Sequence, residues 1–188
     1  SLRLFDPEEV GRTARRLQAA GAKYLFITDA AFNSSAAHSL AVARAFEQAG
    51  VSIPWGGFFT PTAPDPGYYR TLAEAGLAHV EFGTESLSDR VLKAYRKPFR
   101  CAHVFDAHAA ALEAGLHVAH YFLLGGPDET SDTLAETLDG VERLRRGVLF
   151  FFCGMRIYPQ TELYEMALRD GQVREDRSLV EPVFFKPA

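Results

Sequence analysis

The chain is poor in the residues that mark several common classes of protein. It has only two cysteines in 188 residues, Cys101 and Cys153, which are too far apart in sequence to form a metal-ligand spacing. So few cysteines are typical of a reducing compartment, and we predict a cytoplasmic protein. No apolar run approaches the ~20 residues of a membrane-spanning helix. We therefore predict no membrane partner.

The chain also lacks a basic excess and the best-known catalytic motifs. It has 20 basic and 24 acidic residues and a net charge of −4, which argues against a protein that binds the phosphate backbone of nucleic acid. No Gly-x-Gly-x-x-Gly follows the first predicted strand, and no Gly-x-Ser-x-Gly, His-Glu-x-x-His or P-loop occurs. Dinucleotide binding in a Rossmann fold and the usual hydrolase sites are therefore not indicated.

Short apolar runs of strand length alternate with helical patterns. Because these runs are almost continuously apolar, they are typical of parallel strands that are buried on both faces. Several helical patterns end at a glycine, which readily takes the left-handed backbone at a helix end. The strands are predicted at Lys23–Asp29, Val51–Phe59, Ala78–Gly83, His117–Leu124 and Val148–Arg156, the glycines are Gly21, Gly50, Gly76, Gly115 and Gly171, and the helix caps are Asp6, Ser34, Asp65, Ser88, Ser131 and Thr161.

This order predicts an α/β fold in one domain over residues 1–188. A further helix is predicted from about Arg100 to Ala114. Alternation of strands and helices does not by itself separate a barrel from an open doubly wound sheet. The chain opens on a helix without the strand expected before it, so we interpret it as a piece of an enzyme.

Three of the predicted strands end in turns of glycine and polar residues. Ligand sites of parallel α/β proteins lie at the carboxyl ends of the strands, so such turns outline one site. Glu85 and Ser86 follow the third strand, and the Glu85 carboxylate suits the hydroxyls of a ribose or an amino group. Asp29 ends the first strand and is expected at the same mouth. The alternatives are a carboxylate favoured by a helix dipole at Glu85 and a turn cap at Asp29.

The fourth and fifth strands end at Gly125–Gly126 and at Arg156–Tyr158. Glycine permits a ligand to approach the backbone closely, although an ordinary strand–helix turn would have the same sequence. Arg156 is suited to a carboxylate and the backbone at Tyr158 to a flat heterocycle, with solvated or packing roles as the alternative. The histidines give no ligand set, because His117 and His120 are three apart on one strand and point to opposite faces. We assign no catalytic residue and no metal ligand.

Four segments in this order resemble the core of the radical S-adenosylmethionine (SAM) superfamily. The resemblance is to Fe–S oxidoreductases that often carry an upstream cobalamin-binding domain. It departs from the family at Ala30, which replaces a second aspartate, and at Asp128 and Gln160, where glycine is usual. The segments are Tyr24–Asn33, Phe82–Ser86 with the following Val91, Leu92, Lys93 and Lys97, Leu124–Thr130, and Tyr158–Tyr164.

The resemblance implies a partial, TIM-like (β/α)6 barrel, here truncated to about five parallel strands, that binds SAM. Glu85 and Ser86 would lie against its ribose and methionine, Gly125, Gly126 and Arg156 to Tyr158 would hold the adenine, and Asp29 would lie near the methionine or the substrate. In the intact parent a four-iron (4Fe-4S) cluster held by three cysteines would reduce SAM to a 5′-deoxyadenosyl radical. Cobalamin would come from an upstream domain.

The three-cysteine segment of that family is not in this sequence, so we expect the chain alone to be inactive. Two alternatives are a non-catalytic, barrel-like binding or scaffold domain and a cluster-free TIM-type lyase that uses Glu85 as its base. Beyond SAM and an unknown small substrate, a second copy of the chain is an expected partner, because the first predicted strand would leave an open sheet edge. Either a dimer or a rearranged N-terminal segment would cover this edge.

Overall fold

A computed structural model describes residues 3–62, 65, 67–175 and 178–187, so the ends of the predicted domain 1–188 lie outside the described residues. These residues form five strands and seven α-helices, with a short 3₁₀ helix at Phe32–Ser34. The strands are β1 Leu25–Ile27, β2 Trp55–Phe59, β3 Leu77–Glu85, β4 His117–Leu124 and β5 Gly147–Cys153. The helices are α1 Pro7–Ala19, α2 Ala36–Gln48, α3 Tyr68–Glu74, α4 Asp89–Ala94, α5 Cys101–Glu113, α6 Ser131–Val141 and α7 Glu162–Arg169.

The strands form one sheet in chain order, β1-β2-β3-β4-β5. The pairs β1–β2 and β2–β3 are parallel, with Leu25 opposite Trp55 and Trp55 opposite Leu77. The register shifts after Trp55, so that Gly56 pairs with His79. A parallel sheet in chain order with helical crossovers is the predicted α/β architecture, and the prediction is confirmed.

Each of the five predicted glycines lies one or more residues after the end of a helix, and all five have positive φ angles. Asp6 and Thr161 cap α1 and α7 through their side chains, as predicted. Other predicted caps were wrong by one or two residues, because several neighbouring polar residues can begin a helix. Ser35 caps α2 instead of Ser34, Gly67 precedes α3 instead of Asp65, and Thr130 caps α6 instead of Ser131; Ser88 precedes α4 without a side-chain hydrogen bond.

The accuracy of the predicted strand bounds differed from strand to strand. β4 has the predicted bounds, whereas β1 is three residues long instead of seven. Lys23, Thr28 and Asp29 are exposed and lie outside β1. Burial in the sheet would not stabilise these polar side chains, so the pairing with β2 is confined to the apolar residues Leu25–Ile27.

The chain divides into two compact units, which we call the first and the second unit. The first consists of Ser1–Thr84, Ala102–His120 and Arg146–Leu149. Its core contains large buried aromatic side chains, including Phe46, Trp55 and Phe82. Several of these rings meet edge to face, as in the pairs of Phe46 with Trp55 and Phe59 with Phe82. This geometry adds to the stabilisation from area burial.

The second unit consists of Glu85–Cys101, Tyr121–Arg145 and Phe150–Ala188. It contains a smaller core of Ile157, Ala167, Val173 and Phe185. The backbone at Ile157 donates to Val183 O at 2.8 Å, and the backbone at Phe185 donates to Met155 O at 2.8 Å. The chain end is thereby fastened to the segment that follows β5.

Within the described residues, no helix has the length and apolar character needed to cross a membrane. β1 is the first strand of the sheet order and pairs with β2. Among the described residues, β1 is therefore an edge strand of the sheet, at the edge that we predicted to be open.

Candidate functional site

Glu85 is the last residue of β3 and has a left-handed backbone, with φ +64°. Its Oε1 accepts a hydrogen bond from Lys97 Nζ at 2.7 Å, and both side chains are partly buried. A non-glycine residue pays about 1–2 kcal/mol for this conformation, and such costs cluster at ligand sites. The surroundings therefore hold one charged acceptor in a fixed position at the end of a central strand.

Ser86 is fully buried, and its hydroxyl is already used inside the second unit. Its Oγ lies 2.9 Å from Thr137 Oγ1 and accepts a hydrogen bond from Ser88 N at 3.1 Å. These contacts hold the turn after β3 against α6. The predicted contact of Ser86 with a ligand stays a prediction.

The turn after β4 contains a buried acceptor that sequence reasoning missed. Gly125 has φ +86°, and its N–H donates to Glu129 Oε2. Glu129 is buried, and its Oε1 has no hydrogen-bond partner among the described residues. Leaving a buried carboxylate oxygen unpaired is costly, so a donor is missing at this place. The sequence contained a signal for this acceptor, because Glu129 lies four residues after Gly125, the glycine that follows β4.

Gly126 leaves room for an aromatic ring. A Cβ at Gly126 would lie 2.6 Å from Tyr95 Cε1, far inside van der Waals contact. The Tyr95 hydroxyl donates to Leu123 O at 3.2 Å. Burial, and then the charge of Glu129, raises the pKa of Tyr95, so the phenol stays a neutral donor. Tyr95 was not predicted as part of the site.

Arg156 and Tyr158 follow β5 and contact each other. The guanidinium carbon of Arg156 lies 4.8 Å from the centroid of the Tyr158 ring, a cation–π distance. Arg156 Nε is buried and has no hydrogen-bond partner among the described residues. The Tyr158 ring is exposed. The pair therefore offers a flat cationic and aromatic surface with an unused buried donor.

A cavity of about 440 Å³ lies in the second unit, within the size range of small-molecule sites. Its lining includes Tyr95, Lys97, Leu123, Pro127, Met155 and Glu162. It thus contains the lysine that holds Glu85 and the proline of the turn between Gly125 and Glu129.

Two of the turns have left-handed residues that are not glycine. Asp128 and Gln160 both have φ +62°. They are the two positions at which the resemblance leads one to expect glycine. The backbone therefore keeps the shape that glycine would supply, at an energetic cost.

Asp29 belongs to the first unit and is exposed. Its Oδ1 accepts a hydrogen bond from Ala30 N at 2.9 Å, which is the turn-capping role considered for it above. It borders a cavity of about 340 Å³ together with Phe32 and His38. A role at the same mouth as Glu85 stays a prediction.

The buried histidines form a hydrogen-bonded chain that sequence reasoning missed. His120 Nδ1 lies 2.7 Å from Thr84 Oγ1, and His120 Nε2 lies 3.0 Å from His108 Nδ1. Burial, and then the neighbouring His108, lowers the pKa of His120 to about 3. His117 is exposed whereas His120 is fully buried, which agrees with the prediction that the two side chains point to opposite faces of the strand. Thr84, His108 and His120 all belong to the first unit, where their hydrogen bonds form a structural network.

The described residues do not fit an iron–sulfur cluster. They contain no group of three or more histidine, cysteine, aspartate or glutamate side chains arranged to hold a metal ion. Cys101 and Cys153, the chain's only cysteines, are both free thiols. Burial, and then the carboxylate of Asp89, raises the pKa of Cys101, which disfavours the thiolate that metals require.

A parallel α/β sheet in chain order, with strained acidic and glycine-containing turns after its strands, defines a partial barrel of the type that binds small molecules at its strand ends. The family model of the radical SAM superfamily matches residues 1–141. The chain belongs to this superfamily.

The chain is also similar to a curated protein of greater length. The chain is 27% identical over 151 residues to an uncharacterized methyltransferase of Pyrococcus horikoshii, covering 80% of this chain and 33% of that protein. The chain thus spans about a third of the curated relative that it matches.

Among solved structures, the fold matches TsrM of Kitasatospora setae, a radical SAM methyltransferase with bound cobalamin and a [4Fe-4S] cluster. The TM-score is 0.81 and the identity 22%, covering 97% of this chain and 38% of that one. The cobalamin-dependent SAM radical enzyme OxsB has a TM-score of 0.66 at 19% identity, covering 90% and 26%. Coproporphyrinogen III oxidase of Escherichia coli has a TM-score of 0.61 at 12% identity, covering 92% of this chain and 48% of that one. At these identities the likeness concerns the fold.

Proposed function

We propose that this chain is the SAM-binding part of a radical SAM enzyme. One observation carries the proposal: the second unit holds a buried acceptor, Glu129 Oε1, and a buried donor, Arg156 Nε, that lack partners among the described residues. Both belong to turns after strands, where parallel α/β proteins bind ligands. A ligand with both donors and acceptors would satisfy them.

The charges of the turns suit SAM. Its sulfonium and ammonium groups are positive, and Glu85 and Glu129 supply negative charge in partly or fully buried positions. The Glu85 carboxylate would accept hydrogen bonds from the ribose hydroxyls or the ammonium group, with Lys97 fixing its orientation. Ser86 would contribute to the same end of the ligand through its backbone, since its hydroxyl is engaged.

The adenine would lie against Gly125, Gly126, Arg156 and Tyr158. The Arg156–Tyr158 pair offers a flat surface for stacking, and the left-handed Gly125 would allow the base to approach the backbone. Asp29 would lie near the methionine part of SAM or the substrate.

In the parent enzyme, a four-iron cluster would supply the electron that cleaves SAM to a 5′-deoxyadenosyl radical. No step of the proposal runs through this cluster, because the present residues do not fit it. Cobalamin would be a further cofactor, bound through an upstream domain; TsrM and OxsB are structural neighbours that bind it.

Methyl transfer is a second candidate for the reaction of the parent. The curated relative from Pyrococcus horikoshii and TsrM are both named methyltransferases. The two candidates share the SAM site and differ in the fate of the SAM methyl group. Incubation of the parent with methyl-labelled SAM distinguishes them: label in the product supports methyl transfer, and label retained in methionine supports reductive cleavage without transfer.

Isothermal titration of this chain with SAM tests the binding proposal. We expect Glu85→Gln to weaken SAM binding about tenfold or more, because a hydrogen bond to a charged group contributes about 1.5–3 kcal/mol. Glu142→Gln is the matched control, since Glu142 is exposed at the end of α6 in the same unit. Equal SAM affinity for Glu85→Gln and the wild type, or absence of SAM binding to the wild type, would contradict the proposal.

Anaerobic reconstitution with iron and sulfide tests the assignment of the missing cluster. We expect no stable cluster on this chain and SAM-dependent 5′-deoxyadenosine from the parent. A stable four-iron cluster on the present two cysteines would refute the assignment. Sedimentation analysis in the same buffers tests the predicted homodimer through the β1 edge, for which a strictly monomeric chain is the opposing result.

A further inference from the structure

Three polar side chains of the first unit are joined in a line on one face of the sheet. The Tyr24 hydroxyl lies 2.6 Å from His79 Nδ1, and His79 Nε2 lies 3.1 Å from Glu81 Oε1. His79 and Glu81 are two residues apart on β3 and therefore share a face. Tyr24 directly precedes β1, which is separated from β3 by β2.

Gly56 of β2 leaves room for the hydrogen bond between Tyr24 and His79 to pass over β2, the strand between β1 and β3. Gly56 pairs with His79 in the sheet register and with Phe26 on the other side. A Cβ at Gly56 would lie 2.5 Å from His79 Cε1 and 2.6 Å from His79 Nδ1, so any larger residue would displace the imidazole. The Tyr24 and His79 rings stack with centroids 5.6 Å apart and planes 13° apart, directly over this glycine.

The carboxylate fixes the proton positions in the line. An ionised glutamate only accepts hydrogen bonds, so the Nε2 of His79 carries the imidazole proton. The Nδ1 of a neutral imidazole is then an acceptor, and Tyr24 donates its phenolic proton to it. The tyrosine oxygen keeps its lone pairs for another donor. This is the arrangement of a carboxylate–histidine–hydroxyl triad, with a phenol in place of the serine.

We propose that Tyr24, His79 and Glu81 form an acid–base relay whose ligand-facing end is the Tyr24 hydroxyl, and that it takes a small aromatic ligand with a weakly acidic O–H or N–H group. The ligand gives its proton to the Tyr24 oxygen while the Tyr24 proton passes to His79 Nδ1. The resulting imidazolium is held by the Glu81 carboxylate, and the reverse transfer returns the proton to the ligand. No proton is gained or lost overall.

The surroundings of Tyr24 support an aromatic ligand. Tyr24 is 39% exposed and Phe26 is 37% exposed, so both are accessible on the face that carries the relay. Phe26 stacks near His79, with centroids 5.7 Å apart, and meets Phe58 edge to face at 5.0 Å. Burial, and then the charge of Glu81, raises the pKa of Tyr24 to about 12, so the phenol keeps its proton at neutral pH. The residues of the relay all belong to the first unit.

Nitrogen NMR of the chain with ¹⁵N-labelled histidine tests the proton positions. We expect His79 at neutral pH to show a protonated Nε2 and an acceptor Nδ1. Tyr24→Phe should shift the Nδ1 resonance toward the value of an unbonded ring nitrogen, and Glu81→Gln should mix the two tautomers. The exposed His117 serves as the internal reference. A His79 with its proton on Nδ1 in the wild type, or unchanged in both variants, would overturn the relay.

A pair of matched probes tests the ligand class. Phenol and anisole have the same ring, but only phenol has a donor proton. We expect phenol to bind near His79 about threefold to tenfold more tightly than anisole, the effect of one hydrogen bond, and Tyr24→Phe to abolish the difference. Tyr68→Phe is the control, because the Tyr68 hydroxyl is buried 2.6 Å from Ser39 Oγ. Equal responses to both probes, or no response of His79 to phenol, would refute the ligand class.

Discussion

The two units differ in how they treat buried polar groups. The first unit joins many of its polar groups into chains, as in Thr84–His120–His108 and Tyr24–His79–Glu81. Among the described residues, the second unit leaves Ser88 Oγ, Glu129 Oε1 and Arg156 Nε buried without hydrogen-bond partners, whereas the first unit leaves the Tyr69 hydroxyl.

Backbone strain is distributed in the same way. Of the five described non-glycine residues with positive φ, four belong to the second unit: Glu85, Arg96, Asp128 and Gln160. Strain and unmet hydrogen bonds are tolerated where a ligand completes the structure. The comparison teaches that the large aromatic core, from which we expect most of the stability, lies in the first unit, whereas strained backbone and unpartnered buried polar atoms are concentrated in the second.

The largest effect should come from the aromatic core of the first unit. Phe82 is fully buried and contacts the rings of Phe59, Tyr69 and His120. We expect Phe82→Ala to lower the free energy of unfolding by about 3–5 kcal/mol, measured by urea denaturation. Phe5→Ala is the control within the same unit, because Phe5 is exposed. A loss below about 1 kcal/mol for Phe82→Ala would break the assignment of stability to this unit.

The buried histidine chain should make stability depend on pH. The pKa of His120 is about 3 in the folded chain and ordinarily 6.5, so the unfolded chain binds the proton more tightly. Stability is therefore fully present above pH 6.5 and falls as the pH drops from 6.5 toward 3, by on the order of 5 kcal/mol. Urea titrations at several pH values measure this loss. His120→Gln should flatten the dependence; an equally steep slope in that variant would assign it to other groups.

A single methyl group should disturb the turn of the second unit. Gly126→Ala places a Cβ against the Tyr95 ring, and we expect a loss of about 1–3 kcal/mol in unfolding free energy. The same variant should weaken SAM binding, because the turn is part of the proposed adenine site. Combining it with Tyr95→Ala makes a double-mutant cycle in which much of the cost of Gly126→Ala should disappear. Additive effects would show that the ring is not the cause.

The smallest effect should come from relieving strain. Asp128 has φ +62°, so Asp128→Gly removes a steric cost while making the unfolded chain more flexible. We expect a net stabilisation of a few tenths of a kcal/mol up to about 1 kcal/mol. Asp132→Gly in helix α6 is the matched control and should destabilise by about 0.5–1 kcal/mol. If both variants destabilise equally, the left-handed turn is not under strain.

The sequence was sufficient to predict the features that depend on local patterns. Buried strands such as β4 and the glycines after helices follow from apolar runs and from backbone sterics, which neighbouring residues reveal. The turns after the strands were found for the same reason. Helix caps were less certain because adjacent serine, threonine and aspartate residues compete for the same place.

Features that depend on strand register could not be predicted in this way. The contact of Tyr24 with His79 requires the register shift after Trp55, which no local pattern encodes. The ion pair of Glu85 with Lys97 depends on where α4 ends. The spacing of two residues between His79 and Glu81 was visible in the sequence. Tyr24, which hydrogen-bonds to His79, lies 55 residues away in sequence, directly before β1.

The bare backbone of Gly56 links the evolution of three positions. No residue with a side chain fits at position 56 while an aromatic ring at 24 and an imidazole at 79 lie across it. Relatives that carry alanine or a larger residue there must have smaller groups at one of the other two. A side chain at position 56 should therefore occur only together with a smaller group at position 24 or 79, whereas glycine at position 56 is compatible with changes at either of the other two.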